Sequence, residues 1–293
     1  MSMSELAVHF EGVGKEYPHF ILDDINLQLP AGGIMGFIGA NGAGKSTTIR
    51  ILMGLVQPDR GRVEVLGLPM PEQQAQAKSD IGFASEDLRL YKAATLAWHM
   101  TFIRSIYPGW DDRYAELLLK RFDLKPQQKI KGLSHGQRVK AALLLILARH
   151  PRVLVLDEPT TGLDPVARQE VLSELMEVVA DEQRTIFFSS QNTLDVEQIS
   201  DQITFIDRGR IIDSGDKEMF LDRWRRMRLD IPPGVHIPVL PGIVDSRSSG
   251  RLSVLTTSDY DPAMAAACQD AGATVCAIDT MTLEEIFVAT LKG

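Results

Sequence analysis

At 293 residues, the chain has room for one full domain of about 220 residues and a small appendage. A composition that is 44% hydrophobic and 24% charged suits a globular protein with a real core, and the formal charge of −8 argues against general nucleic-acid binding. Cys268 and Cys276 cannot build a disulfide framework and match no zinc spacing, so both are expected as core filler in a reducing compartment. No membrane span is expected: the longest apolar run, Ala141–Ala148, is less than half of one. Leu6–Phe10, interrupted by His9, is too short for a secretory signal.

Taken in chain order, Ile25, Leu27 and Leu29 alternate with polar residues and predict a strand, which Pro30–Gly33 turns. Ile34–Ile38 is a continuous apolar run, as for a strand covered on both faces. A helix is expected from near Lys45, with Ile49, Leu52 and Val56 at helical spacing, followed by strands at Val63–Val65 and Ile81–Ala84. From about Leu88 to Arg138 the pattern turns helical, through Trp98, Phe102 and Ile106, then Tyr114, Leu117, Leu118 and Phe122, with a break at Pro108-Gly109. Val153–Leu156 and Thr185–Ser189 read as buried parallel strands, and Leu172, Leu175, Met176 and Val179 mark an amphipathic helix between them. A hairpin is expected over Ile203–Ile206 and Ile211–Asp213, turning at Asp207–Arg210. Arg223, Arg225, Arg226 and Arg228 read as a solvated helix face, with a lipid-headgroup or partner contact as the alternative. Beyond Arg228 the prolines 232, 233, 238 and 241 mark a small α+β domain, with a hairpin at Ser248–Gly250 and a last helix over Thr282–Leu291.

Two segments carry chemistry on their own residues. Gly39-Ala40-Asn41-Gly42-Ala43-Gly44-Lys45-Ser46 fits G-x-x-x-x-G-K-[ST], a loop whose glycines let successive N–H groups face phosphate oxygens. The helix behind it adds its positive end, Lys45 reaches the outer phosphates, and the Ser46 hydroxyl can ligate Mg²⁺. Strand Val153–Leu156 runs into Asp157-Glu158, which places two carboxylates at the ligand-binding edge of a parallel sheet. Asp157 is expected in the Mg²⁺ shell and Glu158 as general base for the attacking water.

With Leu133-Ser134-His135-Gly136-Gln137 and Thr160–Pro165 in this order, the chain resembles the nucleotide-binding subunit of an ABC transporter over about Leu6–Phe220. The resemblance implies an α/β P-loop NTPase cassette over 1–227 with a helical subdomain at about 88–138, and the composition shift leaves 228–293 as a C-terminal accessory domain. It implies ATP as substrate, Mg²⁺ as its metal, and ATP-driven pairing with a second cassette, identical or paralogous. ATP would contact Gly39, Asn41, Gly42, Ala43, Gly44, Lys45, Ser46 and Thr47, with Tyr17 stacked on adenine unless it is a core tyrosine. Ser134, Gly136 and Gln137 match residues that grip the γ-phosphate held by the opposite subunit, and Asp164 matches an aspartate at the dimer seam. Glu86 stands at the position that links the Mg²⁺ site to the helical subdomain, where glutamine is usual. His135 replaces a glycine, adding either a donor or a steric cost. Gln191 replaces the switch histidine; it can donate an amide N–H but carries no proton or positive charge, which predicts slowed turnover with Glu158, Gln191 and Lys45 as the catalytic set.

Ile106–Asp111 and Leu283–Phe287 resemble ATPase subunits of bacterial type-2 ABC exporters, the YtrB-like branch. That implies a separate integral-membrane permease docked on the helical subdomain, with Leu88, Leu90, Tyr91 and Trp98 as candidate contacts or else as the subdomain's own core, and a cytoplasmic, membrane-peripheral location. The competing reading is a slow ATPase acting as a nucleotide-dependent switch on a soluble partner.

Overall fold

A computed structural model describes residues 6–85, 89–179 and 184–291. The chain divides into two compact units, Met1–Ile211 and Ile212–Gly293.

The first unit contains an antiparallel sheet of β1 (Leu6–Tyr17), β2 (Phe20–Pro30), β4 (Arg60–Val65) and β5 (Leu68–Met70), in the order β2-β1-β4-β5. The second sheet holds β3 (Ile34–Ile38), β6 (Ile81–Ser85), β7 (Val153–Asp157), β8 (Thr185–Ser190), β9 (Gln202–Asp207) and β10 (Arg210–Asp216), ordered β10-β9-β3-β8-β7-β6. Strands β9, β3, β8, β7 and β6 run parallel. The expected runs at Ile34, Val153 and Thr185 are therefore strands, with β3 and β8 buried along their whole length. Parallel strands covered on both faces need apolar residues at successive positions, which is why these segments read as runs and not as alternations. One consequence decides the site: the segments leaving β3, β7 and β8 all emerge at the same sheet edge.

Helix α1 (Lys45–Leu52) joins the two sheets. Its Ile49, Ile51 and Leu52 share one core with Phe10, Leu27 and Val65 of the antiparallel sheet and with Phe37, Val155 and Phe187 of the parallel one. Each such side chain contributes about 1.5–3 kcal/mol by burial, so α1 is fixed from both sides. The sequence reading supplied no strand for Leu6–Tyr17, although Val8, Phe10 and Val13 are buried there. Register shifts in its pairing with β2 interrupt the alternation that would have marked it.

The helical region comprises α3 (Leu96–Ile106), α4 (Asp112–Arg121) and α5 (His135–Leu147), after the short α2 (Gln74–Ala77). Thr95 caps α3 by accepting from the Trp98 N–H, and Asp111 caps α4 by accepting from Arg113 and Tyr114. Ala141–Leu147 of α5 are all buried, so the longest apolar run is core. Among the described residues no helix is long and apolar enough to cross a membrane. Tyr114 and Arg121 of α4 bond Glu174 at 2.8 and 2.9 Å, tying α4 to α6 (Pro165–Val179). Leu172 and Leu175 of α6 are buried, whereas Met176 is exposed.

The hairpin of β9 and β10 turns at Arg208 and Gly209, both with positive φ (45° and 78°), the pair of angles a two-residue hairpin turn demands. A Cβ at Gly209 would lie 1.8 Å from the Ile21 carbonyl, so only glycine fits. Its N–H donates to the Ala43 carbonyl at 2.8 Å, so the hairpin braces the phosphate loop.

The second unit carries α8 (Lys217–Arg223), β11 (Arg225–Asp230), β12 (Ile243–Ser249), β13 (Leu252–Thr257), α9 (Pro262–Asp270), β14 (Thr274–Thr280) and α10 (Leu283–Thr290). The sheet order is β12-β13-β11-β14, antiparallel throughout. Met227, Leu229, Leu255, Met264 and Cys268 form its core. The last helix is capped by Thr282, whose hydroxyl accepts from the Glu285 N–H while the Glu285 carboxylate accepts from the Thr282 N–H.

Two expectations are corrected here. The arginine cluster is not a helix face: Arg223 ends α8, and Arg225, Arg226 and Arg228 lie on β11. Strand alternation sends Met227 and Leu229 inward, while Arg226 meets Glu285 at 3.0 Å and Arg228 meets Asp279 at 2.7 Å. Cys268 is core filler, but Cys276 is exposed, because β14 lies at the sheet edge with alternate residues facing outward.

Candidate functional site

The phosphate loop follows β3 directly. Gly39 sits where the chain passes β9: a Cβ there would lie 2.6 Å from the Ile206 carbonyl. Ala43 is buried and its carbonyl accepts from Gly209. Gly44 opens α1 at φ 117°, an angle that side chains rarely adopt. Asn41, Gly42, Gly44, Lys45, Ser46 and Thr47 line one wall of a cleft of about 660 Å³. Tyr17, with His19 and Phe20, lines another, and Glu158 reaches in from β7. Tyr17 is 40% exposed at the cleft and is not a core tyrosine. Sequence reasoning missed His19, Phe20 and Arg50 in this lining. Arg50 stands four residues after Ser46, on the same face of α1, a helical spacing that could have revealed it.

Lys45 is 6% exposed, and an ammonium so buried needs partners. Its Nζ donates to the Gly39 carbonyl at 2.6 Å and to the Ala40 carbonyl at 3.4 Å, and lies 3.2 Å from Glu158 Oε1. Glu158 adopts φ 53°, a left-handed conformation uncommon outside glycine. Its other oxygen, Oε2, accepts from the Thr161 hydroxyl at 3.1 Å and the Gln191 N–H at 3.3 Å. Asp157, ending β7, accepts from the Ser189 hydroxyl of β8 at 3.0 Å. The structure thus brings Lys45, Glu158 and the backbone of Gln191 together.

Ser46 is exposed in the cleft, and Asp157, half-buried at the end of β7 beside Glu158, offers a carboxylate at the sheet edge without lining the cleft. Mg²⁺ takes one or two carboxylates and fills its shell with phosphate and water oxygens, so this donor set fits it. No cluster of three or more His, Cys, Asp or Glu that could hold a metal ion occurs among the described residues. Glu86, the remaining expected metal residue, lies outside the described residues, as does Leu88.

Ser134, Gly136, Gln137 and Asp164 do not line this cleft. Ser134 and Gln137 form a reciprocal cap at the start of α5: the Ser134 hydroxyl accepts from the Gln137 N–H at 3.2 Å, and the Gln137 side-chain Oε1 accepts from the Ser134 N–H at 3.0 Å. Gly136 lets α5 approach α6, since a Cβ there would meet the Ala167 Cβ at 3.2 Å. His135 Nε2 lies 3.0 Å from the Thr161 carbonyl, so the substituted signature residue bonds within its own chain. Asp164 caps α6 by accepting from Val166 and Ala167, each at 3.0 Å. Those backbone donors, Ala167 first, hold its carboxyl below the usual aspartate range.

Residues 22–161 match the family model described as ABC transporter. The chain is 30% identical over 229 residues to a Nod factor export ATP-binding protein I of Bradyrhizobium diazoefficiens, covering 76% of this chain and 74% of that one. It is 26% identical over 219 residues to the ABC transporter ATP-binding protein YtrB of Bacillus subtilis, covering 75% of each. Among solved structures, one described as the ATP-binding subunit of an ABC transporter superposes with a TM-score of 0.67 at 25% identity, covering 74% of this chain and 92% of that one. A glycine loop after β3, a carboxylate pair at the end of β7 and a capped α5, in a chain with these relatives, place it in the family of ABC transporter ATP-binding proteins.

Proposed function

We propose that this subunit hydrolyses ATP between two cassettes and drives a separate membrane permease, as an exporter working at the inner face of the membrane. The observation that carries this reading is the meeting of Lys45 and Glu158 at 3.2 Å inside a cleft lined by the phosphate loop. ATP would enter the loop, Lys45 would turn from the Glu158 carboxylate to the γ-phosphate, and Glu158 would be free to take a proton from water. Mg²⁺ held by Ser46 and Asp157 would neutralise phosphate charge. The capped N-terminus of α5 does not line the phosphate-loop cleft of its own chain, which supports its use on the ATP of a second cassette. Bound γ-phosphate would then favour the closed pair by differential contact, and hydrolysis would release it.

A permease surface is supported on α3. Tyr91 and Trp98 are 69% and 46% exposed and pack edge to face at 5.7 Å, and Trp98 stacks on Phe102 at 5.3 Å. Leu90, the other expected contact, is half-buried. Aromatic side chains held in place in this way bury large area at low entropic cost. Trp98→Ala with Phe102→Ala is expected to abolish recovery of the permease while leaving hydrolysis by the isolated subunit within twofold. Loss of both together would remove the surface from consideration.

The reading is tested by pull-down from detergent-solubilised native membranes with Glu158→Gln and MgATP. Recovery of a polytopic membrane protein supports the exporter. Recovery of soluble proteins alone favours a nucleotide switch, the reading that Gln191 motivates. We also propose that Gln191 slows turnover, since its exposed amide cannot carry positive charge toward the γ-phosphate. Gln191→His is expected to raise kcat about tenfold, equal to about 1.4 kcal/mol. Equal turnover in Gln191→His, Gln191→Ala and the parent would show that the side chain is idle.

A further inference from the structure

Asp195 is 1% exposed and lies in the first turn of α7 (Thr193–Ile199), four residues after Gln191. A carboxylate so deeply buried persists only where charge and hydrogen bonds compensate its desolvation. Both oxygens are engaged. Oδ2 accepts from the Thr160 hydroxyl at 2.6 Å, and Oδ1 pairs with Arg168 Nε. Thr160 is itself 6% exposed and lies two residues beyond Glu158. Arg168 belongs to α6, the helix that Asp164 caps. One carboxylate therefore joins the turn after Glu158, the helix after Asp164 and the helix after Gln191.

That turn needs holding. Glu158 sits at φ 53°, a conformation that costs about 1–3 kcal/mol and persists only where its surroundings fix it. Besides its own strand contact to Ser189, the turn is closed by local bonds: Thr161 N–H to the Glu158 carbonyl at 3.2 Å and Leu163 N–H to the Thr160 carbonyl at 3.2 Å. The Thr160 hydroxyl is the link that fixes it to α7, and the Gln191 N–H reaches Glu158 Oε2 at 3.3 Å from the start of that helix.

We propose that Asp195 is a positioning residue for hydrolysis: through Thr160 and α7 it sets the Glu158 carboxylate against Gln191, without touching nucleotide. This rests on the reading of Glu158 as the base. Asp195 does not line the nucleotide cleft, so its loss leaves ATP affinity alone and acts on the chemical step.

The test compares Asp195→Ala and the near-isosteric Thr160→Val with the parent, by kcat and KM for MgATP and by equilibrium binding of a fluorescent ATP analogue. Misplacing a reacting group from a distance costs up to about a hundredfold. The expected result is kcat lowered about ten- to a hundredfold in both variants, with KM and nucleotide affinity within twofold. The double variant should be no slower than Asp195→Ala, because both act through one link. Thr160→Val removes only a hydroxyl, so it remains informative if Asp195→Ala does not fold. Parental kcat in Thr160→Val, or kcat and affinity falling together with the fraction folded, overturns the proposal. Glu158→Gln run alongside separates the two readings. If that variant is inactive and Thr160→Val is not slowed, only the positioning role fails. If Glu158→Gln keeps parental turnover, the base assignment fails and the positioning role with it.

Discussion

Glu158→Gln is expected to lower kcat about 10²–10⁴-fold, the range a positioned general base contributes, while ATP binding is retained. The side chains are nearly isosteric, so the turn after β7 should keep its shape. What changes is the chemistry of one atom. The carboxylate accepts from Lys45 on one oxygen and from Thr161 and Gln191 on the other. A carboxamide can satisfy one of those sides as acceptor, but its NH₂ must face the other, and it takes no proton from water. Removing a negative charge beside the γ-phosphate position also removes a repulsion, so nucleotide affinity should hold or rise. Phosphate release under saturating MgATP, read beside equilibrium ATP binding, checks both parts. Turnover within twofold of the parent would take the base role from Glu158. Size-exclusion chromatography of the variant with MgATP should further show a dimer that the nucleotide-free protein lacks, since the bridging phosphate is no longer consumed.

The half of the site made of contiguous residues was legible, and the half made by long-range contact was not. Gly39–Ser46 announces itself because local backbone geometry demands glycines at fixed spacing after a buried strand. Asp157 and Glu158 follow from the apolar run that precedes them, since a buried parallel strand delivers its next residues to the sheet edge. No local pattern marks Asp195, because one acidic residue in the first turn of a short helix looks like any solvated helix position. Its burial arises only when β7 and β8 lie side by side, in the register that pairs Asp157 with Ser189. The contact of His135 with Thr161 is hidden for the same reason, as it spans 26 residues of chain. In the second unit the arginine-rich segment misled because alternating Met227 and Leu229 make too short a signal to separate a strand from a helix edge.

Lys45→Ala is expected to weaken ATP binding about ten- to a hundredfold, since a hydrogen bond to a charged group is worth about 1.5–3 kcal/mol. The contacts of Lys45 explain why affinity, and not stability, should carry the loss. Lys45 has acceptors at the Gly39 and Ala40 carbonyls and at Glu158, so its buried ammonium is satisfied by groups of its own chain. Binding then exchanges one anionic partner for another, and the energy gained is the excess of a multiply charged phosphate over one carboxylate. Glu158 loses Lys45 in that exchange and keeps Thr161 and Gln191, which stay on its other oxygen. On the proposed reading, phosphate entry would free the base in the same movement that engages the lysine. In Lys45→Ala the carboxylate is free at all times, but nothing draws the γ-phosphate toward it, so kcat should fall along with affinity. Lys45→Arg should not restore either, because a planar fork cannot occupy the pocket of a point charge. Calorimetric titration with ATP, beside a thermal melt of each variant, separates the two effects. A large fall in Tm with unchanged affinity would mean that Lys45 serves the resting fold and leaves phosphate capture to the backbone of the loop.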